Sequence, residues 1–178
     1  MKQQGFTLIE LTTTMAIICI ISSISTGGFR DLLHRSQANN DILELLLQVR
    51  TTRQYAITYS QHAVFCPSHN QYDCISDWKA PKMIFIDSNN NKKRDANEPI
   101  EHRFKAILDS NILIKYPKTQ IRFDSQGIAN YYNGTLAYCS EDIVHGLVIS
   151  RLGRIRIAQD LDGDHRPDVN SSTVVKCN

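Results

Sequence analysis

The sequence predicts an α+β fold: one long N-terminal helix followed by a mostly antiparallel β-sheet head. Three observations carry this. The first 60 residues contain no proline and pass from an apolar stretch to an amphipathic one with three- and four-residue spacing. After Ala63 the hydrophobic pattern changes to period two. Polar, turn-forming stretches then separate short runs rich in Ile, Val and Phe. A length of 178 residues fits one domain with an appendage. Apolar residues at 42% and charged residues at 21% exclude a disordered chain and a polytopic membrane protein. Lys plus Arg number 20 and Asp plus Glu 18, for a net charge of +2, so bulk charge cannot bind nucleic acid and a local cluster would have to do so.

The N-terminal segment comes first. Phe6 to Ile24 is about 19 residues, enough to cross a bilayer as a helix. It is interrupted by Glu10 and by Thr12, Thr13 and Thr14, and only Met15 to Ile21 is continuously apolar. Lys2 and the small residues from Ser22 to Gly28 mimic parts of a secretory signal. Glu10 argues against that reading. A carboxylate inside an apolar membrane segment costs about 2.5 kcal/mol or more and marks function, with a partner cation to compensate it.

Gly5-Phe6-Thr7-Leu8-Ile9-Glu10 resembles the class III signal of type IV pilins and pseudopilins. The resemblance implies that a prepilin peptidase cuts after Gly5 and that Phe6 becomes an N-methylated N-terminus. It also implies that Glu10 pairs with the N-terminal amine of a neighbouring subunit during assembly. Many major pilins carry a helix-kinking proline in this stretch; none occurs here.

From Phe29 to about Ser60, Phe29, Leu32, Leu33, Leu43, Leu46, Leu47, Ala56 and Ile57 recur at helical spacing, while Arg30, Arg35, Asp41, Glu44, Arg50 and Arg53 fill the other face. Gly27-Gly28 is the expected flexible point of this long helix. Strands are expected at 82–87, 112–116, 121–124, 147–149 and 155–157, with polar punctuation at 87–99, 125–127, 133–134 and 160–167.

Cys19 lies in the apolar segment and reads as a small packing residue. Cys66, Cys74, Cys139 and Cys177 lie in the head, an even number that fits two disulfides in an exported domain. Three connectivities are possible. The favoured one is Cys66–Cys74 as a local loop and Cys139–Cys177 as a clamp on the C-terminal strand. No CxxC pair supports a zinc site.

Ser150-Arg151-Leu152-Gly153-Arg154-Ile155-Arg156-Ile157 reads as a hairpin turning near Leu152-Gly153. Period two puts Arg154 and Arg156 on one face, about 6.6 Å apart, and Ile155 and Ile157 on the other. Forked guanidinium donors suit phosphate oxygens, and Arg151 near the turn adds a third. Such contacts give modest, salt-sensitive affinity without sequence specificity. Gly153-Arg154-Ile155-Arg156 is similar to the Gly-Arg-x-Arg motif of FimT-type minor pilins of natural transformation, and the whole layout resembles the GspH/FimT family. The resemblance implies that these residues bind double-stranded DNA for uptake. It equally admits a structural minor pilin, or a secretion pseudopilin of the GspH type, that primes filament assembly without DNA. Arg103, Lys105, Lys115, Lys118 and Arg122 make residues 101–123 locally positive and are candidates to extend the patch.

Two loops imitate calcium sites. Asp87, Asn89, Asn91, Asp95 and Glu98 fall at EF-hand positions, but Lys92 stands where the sharp turn wants Gly, and Lys92, Lys93 and Arg94 oppose a cation. Asp160, Asp162, Asp164 and Asp168 are similar to the Asp-rich loops of thrombospondin type 3-like repeats, with His165 where Gly usually stands. Both are read as polar loops, and no metal or cofactor is expected. No Gly-x-Ser-x-Gly, His-Glu-x-x-His or phosphate-cradling loop occurs, so no enzyme is expected.

The expected organisation is a leader at 1–5, a transmembrane and assembly helix at 6–28, an amphipathic helix at 29–62 and a β-rich globular head at 63–178. The expected partners are double-stranded DNA, other major and minor pilins, the prepilin peptidase and the inner membrane, with the head in the periplasm until assembly.

Overall fold

A computed structural model describes Gly5, residues 7–141 and residues 143–177; the side chains of 23–28 are outside that description. Phe6, the expected site of methylation, therefore lies outside the described residues. The chain divides into two units, 1–39 and 40–178. One helix, α1 (Leu8–Tyr59), begins in the first and ends in the second.

In the first unit, Thr7 caps α1: the Glu10 amide donates to its hydroxyl oxygen at 3.4 Å, and that hydroxyl donates to the Glu10 carboxylate at 3.5 Å. The Thr12, Thr13 and Thr14 hydroxyls donate to the carbonyls of Ile9, Glu10 and Leu11 at 2.9–3.0 Å, so these polar groups are satisfied within the helix. Leu8, Ile9, Leu11, Met15, Ile17, Ile18, Ile20 and Ile21 are all exposed, so this part of the helix presents an apolar surface. Among the described residues no helix is long and apolar enough to cross a membrane.

In the second unit the helix changes character. Ile42, Leu45, Leu46, Val49, Thr52 and Ala56 form a buried stripe, while Leu43, Leu47 and Arg50 stay exposed. Each large side chain fully buried in this way stabilises the fold by roughly 1.5–3 kcal/mol. The helix ends in a Schellman motif with Ser60 at φ 54°: the Ser60 amide donates to Ile57 and the Gln61 amide to Ala56, both at 3.2 Å.

The chain then builds two four-stranded antiparallel sheets. The first contains β1 (His62–Pro67), β2 (Lys82–Asp87), β3 (Ile100–Phe104) and β5 (Ile121–Phe123) in the order β3-β2-β1-β5. The second contains β4 (Ile112–Lys115), β6 (Gly134–Ser140), β7 (Ile143–Ile149) and β8 (Ile155–Ile157) in the order β4-β6-β7-β8. A ribbon of β9 (Asp168–Asn170) and β10 (Thr173–Val174) follows. Val64, Cys66, Met83 and Phe85 pack together, with Cys74 and Ile100 against them. Phe65, Trp78, Leu136, Tyr138, Leu147 and Ile149 are among the largest fully buried side chains, and the Trp78 indole N–H is satisfied by the Lys118 carbonyl at 2.9 Å.

Two disulfides fasten the head. Cys66 is bonded to Cys74 and Cys139 to Cys177. The second ties the C-terminal segment beside Ala137, Ala158 and Val175, with Val169 packed against the same cluster. This is the α+β architecture that the sequence predicts.

Candidate nucleic-acid interface

β7 and β8 form the expected hairpin, joined by a tight turn in which the Gly153 amide donates to the Ser150 carbonyl at 2.9 Å. The Ser150 amide donates to the Arg154 carbonyl at 2.8 Å, and the Ser150 hydroxyl oxygen accepts from the Arg154 amide at 2.9 Å. Gly153 has φ +80°, and a Cβ there would lie 1.9 Å from the Gly127 carbonyl oxygen. That oxygen also accepts from Arg53 Nε at 2.9 Å. On the other side of the turn, the Arg151 carbonyl accepts from the Ala129 and Asn130 amides, both at 3.1 Å. The hairpin tip is thus seated on the 124–130 turn and on α1.

The two motif arginines are placed differently. Arg154 is exposed beside the turn. Arg156 is half-buried, and its guanidinium donates to the carbonyl of Val169 on β9 and to that of Ile157. Sequence reading put both on one face and did not foresee that β9 lies within reach of Arg156 and uses its donors. Arg151 is exposed, with its guanidinium 6.0 Å from the Tyr131 ring centroid.

Arg154 opens instead toward helical arginines. A groove of about 440 Å³ is lined by Arg50, Arg53 and Gln54 of α1 together with Leu152, Gly153 and Arg154. Sequence reading put Arg50 and Arg53 on the polar face of the helix and did not join them to the hairpin. Their i,i+3 spacing was the available signal.

A second pocket of about 490 Å³ lies beyond the 124–130 turn, where His62, Lys92, Arg122, Asn130, Tyr131 and Tyr132 meet. Arg122 is 5% exposed and bonded 2.9 Å from the Asp87 carboxylate, itself fully buried. Asn90 also accepts from Arg122, and the Tyr132 ring centroid lies 6.0 Å from its guanidinium. Burial, aided by Arg122, holds the His62 imidazole below its usual range.

The remaining cations of the 101–123 group are dispersed. Arg103 bonds Gln71, and Lys118 bonds the Asn133 carbonyl at 2.6 Å. Lys115 is on the edge strand β4.

The two acidic loops are held by their own backbone. Asp87 accepts from the Asn91 and Lys92 amides, and Lys92 adopts the left-handed turn at φ 70° despite its side chain. Asp160 accepts from the Gly163 amide at 2.7 Å and the His165 amide at 2.9 Å, bonds that hold its carboxyl below the usual range. Carboxylate oxygens of Asp160, Asp162 and Asp168 lie within 4.8 Å of one another, without Asp164.

A family model described as the type II transport protein GspH matches residues 41–153, and one described as the prokaryotic N-terminal methylation motif matches residues 1–26. No curated protein matches the chain. The type IV minor pilin FimU of Pseudomonas aeruginosa strain PAO1 is similar in structure in two crystal forms. Its P21 form has 16% identity and a TM-score of 0.56, covering 71% of this chain and 91% of that one. Its P65 form has 17% identity and a TM-score of 0.51, covering 70% and 92%.

Proposed function

The chain belongs to the GspH family of minor pilins and pseudopilins, and on that premise we propose that it is a filament subunit that captures double-stranded DNA, as FimT-type minor pilins do. The family is one of structural subunits, not enzymes. With its methylation motif the chain is a prepilin, anchored in the inner membrane and then assembled with other pilins. In this reading the prepilin peptidase cuts after Gly5, Phe6 is methylated, and Glu10 takes a neighbour's new amine as the apolar rod packs among other subunits.

The observation that carries the DNA reading is the groove in which Arg154 meets Arg50 and Arg53. Three guanidinium groups around one concavity focus positive potential more than an isolated pair does. Gly153 seats the turn, Arg151 extends the patch, and Arg156 contributes through whatever donors Val169 and Ile157 leave. Affinity would come from phosphates alone, so it would be sequence-independent and would fall with salt at a slope near −0.9 per phosphate neutralised.

The test is fluorescence anisotropy of a labelled blunt duplex with the full chain in detergent micelles, across a salt series. Arg50→Gln with Arg154→Gln is expected to weaken binding at least tenfold at low salt and to flatten the salt slope by about two. Undiminished binding by that double variant would refute this groove as the DNA site, and no binding by the unsubstituted chain would refute the DNA reading. A purely structural role in a type IV pilus or a type II secretion pseudopilus is the second reading, favoured by the engagement of Arg156 with β9. It expects no DNA affinity and a loss of filaments when the subunit is deleted.

A further inference from the structure

Resting on the DNA reading above, we propose that the second pocket receives an unstacked nucleobase, so that a single strand or a frayed duplex end gains a contact that closed duplex does not make. Consecutive tyrosines on the 130–132 turn each lie near a guanidinium, Arg151 for Tyr131 and Arg122 for Tyr132, both 6.0 Å from the ring centroid. Their environments differ. Tyr132 is half-buried and its carbonyl accepts from the Tyr116 hydroxyl, so it builds the wall. Tyr131 is 80% exposed and supports no core. An aromatic ring left open beside arginines is a platform on which a base of any identity can stack.

The polar groups of the pocket suit a base, since a carboxylate and an imidazole stand beside its cations Lys92 and Arg122. Asp124 lines it and disfavours a phosphate, yet its carboxylate, which already accepts from the Gln126 and Ile128 amides and from Asn130, retains a lone pair for a base N–H such as thymine N3–H. Burial and Arg122 disfavour the charged form of His62, and its neutral ring offers one donor and one acceptor. Arg122 Nε is buried and makes no hydrogen bond among the described residues. The Arg50–Arg53–Arg154 groove thus offers a place for phosphates and the pocket a place for a base. The two are joined across one short turn, because Ala129 and Asn130 of the pocket donate to the carbonyl of Arg151. A closed duplex hides its bases in the stack and can use only the groove.

The experiment compares three labelled 20-mers, an oligo-dT strand, an abasic strand and a blunt duplex, against the full chain in detergent at low salt. Oligo-dT is expected to bind about 5- to 100-fold more tightly than the abasic strand. Tyr131→Ala should erase that difference and leave abasic and duplex binding unchanged, whereas Tyr131→Phe should keep it. Equal affinity for oligo-dT and the abasic strand, or an unaltered preference in Tyr131→Ala, would overturn the base pocket while duplex binding left the DNA reading standing. No binding to any of the three would remove both.

Discussion

Gly153 shows how one atom decides whether the arginines can be presented. Its φ of +80° disfavours any side chain, and the Gly127 carbonyl occupies the place where a Cβ would go. Gly127, at φ +74°, repeats the constraint, since a Cβ there would lie 2.8 Å from Ile57 Cδ1. Gly153→Ala must therefore lift the hairpin tip away from the Gly127 carbonyl and Arg53. It is expected to cost about 2 kcal/mol or more, and to weaken DNA binding although no charge is changed. Chemical denaturation and anisotropy on the same sample check both outcomes. The value of this glycine was legible in the sequence only as part of a motif. The reason for it was not, because Gly127 and Arg53 lie 26 and 100 positions away along the chain. The engagement of Arg156 with β9 was not legible for a similar reason: period two fixes the face of a strand but not what later folds against it.

At the level of elements, the helix and the strands at 82–87 and 155–157 were readable because their patterns are local. β6 was not. Gly134 read as punctuation, yet it opens a seven-residue strand paired along its length with β7. Strands of that kind are fixed by their partners more than by their own composition. The C-terminal ribbon depends most on such help, since β10 has only two residues and the Cys139–Cys177 bond holds its end. That bond closes a separation of 38 residues and the Cys66–Cys74 bond one of 8. Loop-closure entropy then assigns them about 4 and about 2.5 kcal/mol respectively. Replacing Cys139 and Cys177 by Ser should lower the midpoint of urea unfolding more than replacing Cys66 and Cys74. Hydrogen exchange should localise the loss to 168–177. An equal or larger loss from the shorter loop would contradict that ranking.

Across the whole molecule, burial of titratable groups sets the response to acid. Burial lowers the His145 imidazole below its usual range, and Nε2 has no partner among the described residues. His62 is lowered in the same direction. A histidine whose folded value is depressed binds its proton more readily when unfolded. Stability is therefore full above about pH 6.5 and is lost as the pH falls below it. The melting temperature of the head is expected to drop between pH 7.5 and 5, and His145→Leu should shrink that drop. A variant with an unchanged acid limb would place the sensitivity elsewhere. The global layout was the most legible property of the sequence. A largely apolar helix that turns amphipathic, followed by period-two segments, admits few architectures. The cationic groove was the least legible, because it forms only where α1 and β8 approach each other.

The seating of the hairpin tip also bears on mechanical load. β7 and β8 share only three register pairs, a ladder that would unzip easily if tugged from its open end. The Gly127 carbonyl, gripped by Arg53 and covered by Gly153, gives the tip a second anchorage on the helix. Tension applied to a cargo held at Arg154 would then run as shear into the spine of the subunit and not peel its outermost strand.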